Sequence, residues 1–179
     1  MRRAAHAALL LPGGLDFGIF DVGTVRWCGD GGMRWCHFYG KVTSLLASGG
    51  PPDLIIIHLG GNDLANLRLG AINRAMYRTL QLLMGLCPHS TVALSGILPR
   101  AGYRGARCNT AIDKCRRACN RRARKLVERV GGFYVPHPQF SYKTTHLYLP
   151  DGVHLSELGN ARFIGNLAQA IYAWLANSR

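Results

Sequence analysis

The sequence predicts an α/β fold with a mostly parallel sheet. Two short apolar runs carry that expectation, Leu54 to Leu59 and Thr91 to Ile97, each bounded by Pro or Gly. Such runs are too short for helices and suit strands buried on both faces. After each comes a long segment with apolar residues at helical spacing. Leu67, Ile72, Met76, Leu80, Leu83 and Leu86 mark the first; Ile112, Cys115, Cys119, Ala123, Leu126 and Val130 mark the second. Strands alternating with helices define the α/β class.

The elements follow in order. Met1 to Leu11 has a basic start and a short apolar run, but Pro12-Gly13-Gly14 replaces a clean signal-peptide cleavage site. A helical segment ending at Pro12 is expected instead. Thr24 to Cys28 alternates in character and reads as a strand. A helix is expected from Met33 towards Ala47, with Ser48 to Pro52 as a rigid connector into the strand at Leu54. Pro88 closes the next helix. Leu98-Pro99-Arg100 and a Gly- and Arg-rich loop to Arg107 leave the second buried strand. Asn109 to Val130 is helical, and Gly132 to Val135 is a short last strand. Pro136 to Pro150 is a loop, and Gly159 to Ala176 is a closing amphipathic helix.

Composition sets the class. At 179 residues the chain is expected to be one domain, 1–179, large enough for a substantial core. No apolar run approaches a membrane span. The net charge of +13 is unusual and points towards nucleic acid or an anionic surface. Lys114, Arg116, Arg117, Arg121, Arg122, Arg124 and Lys125 concentrate it on one helix. Of these, Arg116, Arg117, Arg121, Arg122 and Arg124 are the candidate phosphate contacts. The same charges would equally serve as an ordinary solvated face. Six cysteines without a Cys-x-x-Cys pair favour an intracellular setting. Cys108, Cys115 and Cys119 lack zinc-ligand spacing and read as small apolar residues, so neither metal nor cofactor is implied.

Two stretches carry chemistry. The first is Gly60-Gly61-Asn62-Asp63, directly after the Leu54 to Leu59 strand. The carboxyl end of a parallel strand is where such sheets bind ligands, so Asn62 offers a neutral amide donor there. Turn chemistry with Asn62 or Asp63 capping the next helix explains the motif equally well. The second is Asp151-Gly152-Val153-His154, ahead of the closing helix. A carboxylate three residues before a histidine can reach its Nδ1 and fix the tautomer, leaving Nε2 as a general base. A plain helix start, capped by Asp151 or Ser156, is the other reading.

Together the two stretches resemble the SGNH (GDSL-type) hydrolase family. Gly32-Met33-Arg34-Trp35, the exit Ile97-Leu98-Pro99-Arg100 and the run Asp151 to Asn160 look more closely like the esterase-type domains of certain non-LTR retrotransposons. The resemblance runs from Arg2 to the end. It implies a three-layer α/β/α flavodoxin-like fold and hydrolysis of a small ester through a serine. His154 would be the base and Asp151 its orienting carboxylate. Asn62 and the Gly32 N–H would be the oxyanion donors.

The departure from that family concerns its first block, a strand ending in the nucleophilic serine. The first serine here is Ser44, and no Gly-Asp-Ser or Gly-His-Ser precedes it. Ser44, Ser48, Ser90, Ser95, Ser141, Ser156 and Ser178 sit where helices, strands, loops or caps are expected. The chain is therefore expected to lack the first strand and the nucleophile, as an N-terminally truncated or decayed copy. In the flavodoxin-like strand order, that loss strips the Leu54 to Leu59 strand of one neighbour unless the preceding strand slides over. A catalytically incomplete esterase is the functional expectation. The alternative is a basic retroelement-derived protein associating with nucleic acid without catalysis.

Overall fold

Strands β1 (Leu54–Ile57), β2 (Thr91–Ser95) and β3 (Phe133–Val135) form a sheet in the order β1-β2-β3. Both pairings are parallel; Leu54 lies beside Thr91 and Ile57 beside Leu94, while Ala93 lies beside Phe133. A computed structural model of the chain describes Phe17, residues 23–103 and residues 108–178. Its helices are α1 (Phe38–Gly49), α2 (Leu69–Leu86), α3 (Asn109–Arg129) and α4 (Glu157–Asn177). Parallel strands need long crossovers, and here α2 and α3 supply them. The result is an α/β fold of the expected flavodoxin-like kind.

The chain divides into two compact units. One comprises Gly32–Pro99 and Tyr103–Pro136 and contains the sheet. Its core takes Ile57 and Leu94 from the strands, Ile72, Met76, Leu80 and Leu83 from α2, and Cys119, Leu126 and Val127 from α3. The α2 residues recur every three or four positions, and buried Ala123 links Cys119 to Leu126 at the same spacing, so each helix buries one stripe. The expected inner seam of α3 is thus seated on the sheet, and Cys119 is a buried apolar residue whose thiol burial pushes up to about 12. Among the described residues no group of three His, Cys, Asp or Glu side chains is placed to hold a metal.

The other unit takes in Met1–Gly31, Arg100–Gly102 and His137–Arg179. Here α4 packs against a 3-10 turn, Thr145–Leu147, through a core that includes Leu147, Phe163, Ile164 and Leu167. The Tyr172 hydroxyl on α4 donates to the Phe17 carbonyl. None of the described helices is long and apolar enough to cross a membrane.

Several local expectations change. Residues 23–30 are irregular, so Thr24 to Cys28 is not a strand. Its alternation survives as burial, with Thr24 and Arg26 exposed and Val25 and Trp27 partly covered. Alternation decides which side chains face inward; it does not by itself create a ladder. The two buried strands end earlier than their apolar runs, at Ile57 and Ser95, because the chain turns out of the sheet there. The helix expected from Met33 begins instead as a 3-10 turn, Trp35–His37, that runs into α1. The expected Met1 to Leu11 helix lies outside the described residues.

Candidate active site

Asp151 and His154 are held by a tight loop. Tyr148 and Leu155 form an antiparallel bridge, and the Leu149 N–H donates to the His154 carbonyl at 2.7 Å. The Gly152 N–H closes the turn on the Leu149 carbonyl at 2.8 Å. Gly152 has φ +63°, and a Cβ there would lie 2.4 Å from Ala101 Cβ, so the turn requires glycine twice over. The Ala101 N–H anchors the tip by donating to the Gly152 carbonyl at 2.8 Å. At the base of the loop Ser156 caps α4: its Oγ accepts from the Gly159 N–H and donates to the His146 carbonyl. That hydroxyl is therefore engaged in structure.

Within this loop Asp151 Oδ2 lies 2.6 Å from His154 Nδ1. Asp151 Oδ1 accepts from the Val153 and His154 N–H groups, each at 2.9 Å. The carboxylate is thus locked from both sides. The His154 ring and then those two backbone N–H groups hold its carboxyl far below the usual range. With Nδ1 facing the carboxylate, Nε2 is the nitrogen available for proton transfer. The His154 side chain is 62% exposed.

Gly32 and Asn62 belong to the sheet-bearing unit. β1 leaves the sheet through Gly60, whose φ is +108° and whose Cβ would lie 2.8 Å from Ile97 Cδ1. This close approach lets the chain turn sharply, and the Asp63 N–H donates back to the Gly60 carbonyl at 3.0 Å. Asn62 Nδ2 donates to the Met33 carbonyl at 3.0 Å, which orients its amide. Gly32 lies just before Met33 with φ +73° and is exposed.

Asp63 caps no helix. α2 starts after Arg68 without a side-chain cap, and Asp63 turns inward, 0% exposed. Its two oxygens lie 3.4 and 3.3 Å from the Trp35 nitrogen, whose N–H they accept. Burial raises its carboxyl above the usual value; the Trp35 N–H, Arg34 and His37 oppose that shift. Sequence reading missed this residue, because an Asp in a Gly-Gly-Asn-Asp turn looks like surface turn chemistry. The one available signal was Leu64 immediately after it, which is buried too.

The serines offer one further pairing. Ser95 Oγ lies 2.9 Å from His58 Nδ1, but Ser95 ends β2 and is 5% exposed. Of the five arginines singled out on α3, Arg117, Arg121, Arg122 and Arg124 are exposed. Arg116 instead turns inward at 13% exposure, bonded to Asp113 at 2.7 Å and to the Ile97 carbonyl at 3.1 Å.

Known structures share this fold. A protein assigned as a GDSL-like lipase in Parabacteroides merdae superposes with a TM-score of 0.71 at 17% identity, over 93% of this chain and 79% of that one. A protein assigned as an acylhydrolase in Bacteroides fragilis gives 0.63 at 21% identity, over 81% and 73%. An acetyl xylan esterase gives 0.65 at 16% identity, over 86% and 84%. At these identities the likeness concerns the fold alone. A search of curated proteins finds no match. Residues 26–162 match the model of the GDSL-like lipase/acylhydrolase family, most of the chain, and the protein belongs to that family.

Proposed function

We propose that this chain carries the base and oxyanion parts of a serine esterase acting on a small carboxylic or acetyl ester. The contact that supports it most is Asp151 Oδ2 to His154 Nδ1, 2.6 Å, with the carboxylate pinned by two further N–H groups. In the proposed reaction a serine Oγ attacks the ester carbonyl carbon while His154 Nε2 takes the hydroxyl proton. The Gly32 N–H and Asn62 Nδ2 receive the oxyanion. Collapse breaks the bond to the alcohol oxygen, and His154 returns the proton to that oxygen. Water, activated by His154, then cleaves the acyl-serine. Asp151 keeps the imidazole in the tautomer that makes this possible.

Within residues 1–179 the first serine is Ser44, and no Gly-x-Ser block precedes Gly32. We infer that residues 1–179 supply no first-block nucleophile of their own and are kin to the retrotransposon esterase-type domains, a kinship supported by Gly32 to Trp35, Ile97 to Arg100 and Asp151 to Asn160. Adding a strand that ends in Gly-x-Ser, then assaying a p-nitrophenyl acetate, tests this. Turnover is expected only in the extended protein. A folded extended protein that hydrolyses no ester overturns the assignment of Asn62, Asp151 and His154.

The exposed row on α3 favours a second reading, loose association with nucleic acid. Arg121, Arg122 and Lys125 are exposed and form no ion pair with another described residue, while Arg124 sits 5.0 Å over the Tyr134 ring. Four phosphate contacts would make log K fall with log salt at a slope of about −3. A DNA or RNA titration at several salt concentrations reads that slope, and a flat dependence removes the reading.

A further inference from the structure

A carboxylate with no exposed surface is costly, and among the described residues Asp63 has no cation within ion-pair distance to offset the cost. A leucine would fill that volume without the penalty. What the carboxylate does is specific. It accepts the Trp35 N–H, the first donor of the Trp35–His37 turn, which no bond inside that turn can satisfy. One residue before Asp63, Asn62 Nδ2 donates to the carbonyl of Met33, two residues before Trp35. The two ties run in opposite directions, donor to acceptor and acceptor to donor, and they straddle Arg34. Together they leave the segment from Met33 to Trp35 little freedom to slide or rotate against the turn that carries Asn62.

We propose that Asp63 is a positioning residue: by holding the Trp35 N–H it fixes the Gly32–Trp35 segment, and so the spacing between the Gly32 N–H and the Asn62 amide. The proposal rests on the esterase reading for its catalytic consequence, though the tie itself does not. Gly32, at φ +73° and exposed, has no side chain to anchor it, and a Cβ there would meet no atom within 4 Å. Its N–H can face a carbonyl oxygen reproducibly only if its neighbours are held. Oxyanion donors act through being aimed in advance, so a loosened segment lowers transition-state stabilisation more than substrate binding.

Amide hydrogen exchange on the chain with its present sequence tests the tie. In Asp63→Ala, exchange at Trp35 and at Met33 should rise tenfold or more, while amides of Leu80 and Leu83 in α2 hold their protection. Asp63→Asn keeps an acceptor oxygen in the same volume and should restore most of the protection at Trp35. In the serine-extended protein Asp63→Ala should lower kcat about tenfold with KM unchanged, and Asp63→Asn should recover most of that loss. Equal exchange in all variants, loosening of Leu80 and Leu83 together with Trp35, no rescue by Asn, or a change in KM alone would each overturn the proposal. An extended parent that folds but hydrolyses no ester refutes the esterase reading instead, and the exchange pattern still decides what Asp63 holds.

Discussion

His154→Ala in the serine-extended protein should lower kcat about 10³-fold with little change in KM, the scale on which loss of a general base is felt. The effect belongs to chemistry and not to folding. The His154 side chain is 62% exposed, and the loop is held by main-chain bonds between Leu149 and His154 and between Ala101 and Gly152. Thermal unfolding of the variant should therefore match the parent within experimental scatter. Asp151→Asn makes the sharper test. An asparagine Oδ1 can still accept the Val153 and His154 N–H groups, so the loop keeps its shape. Its Nδ2, however, would present a donor to His154 Nδ1. The ring must then carry its proton on Nε2, the atom that should accept one from the serine. A loss of about 10²-fold or more in kcat is expected from the wrong tautomer alone. If Asp151→Asn hydrolyses ester at the parental rate, the 2.6 Å contact is structural and the dyad reading fails.

The pH dependence follows from the same contacts. The Asp151 carboxyl is depressed in the folded protein, so its support for the loop is complete above the ordinary carboxylate value of about 4 and fades only as pH falls below that. Asp151 thus stays ionised throughout the neutral range.

The sheet and its helices were legible in the sequence because burial on both faces leaves an unmistakable pattern. Leu54-Ile55-Ile56-Ile57 and Thr91-Val92-Ala93-Leu94 have no polar alternation to confuse, and the helix stripe at Ile72, Met76, Leu80 and Leu83 repeats every three or four residues. Asp151 with His154 was legible for a different reason, since a contact three residues apart depends only on local backbone. Asp63 was not, because its partner is 28 residues away and the value of a buried carboxylate depends on what covers it. Thr24 to Cys28 misled in the opposite sense. Its alternation encodes an extended segment with one side turned inward, whereas a ladder depends on neighbours that local sequence does not specify. Arg116 shows the same limit on α3: nothing in a run of basic residues distinguishes the one that bends back to the Ile97 carbonyl from those that face water.

The unit that holds the Asp151 loop should also be acid-sensitive through a residue the mechanism does not use. His137 sits between Phe163, with ring centroids 4.9 Å apart, and Phe140, edge-on at 6.1 Å. Asn166 Nδ2 on α4 donates to its Nδ1 at 3.0 Å, a bond that needs this nitrogen unprotonated. Burial lowers the imidazole to about 4 from its ordinary 6.5. The unfolded chain therefore takes up the proton first. Stability from this site is complete above about pH 6.5 and is lost as pH falls towards 4. At pH 4.5 the loss amounts to about 2–3 kcal/mol, a large share of what holds a domain together. Urea unfolding at pH 7 and pH 4.5 measures it, and His137→Gln, which cannot titrate, should remove most of the difference. An equal acid loss in that variant would mean that the imidazole is not what the acid acts on. Because Asn166 lies on α4, the helix that Ser156 caps, protonation of His137 should loosen that helix before it reaches the sheet. Amide exchange at pH 4.5 should accordingly rise first along α4 and only later in β2.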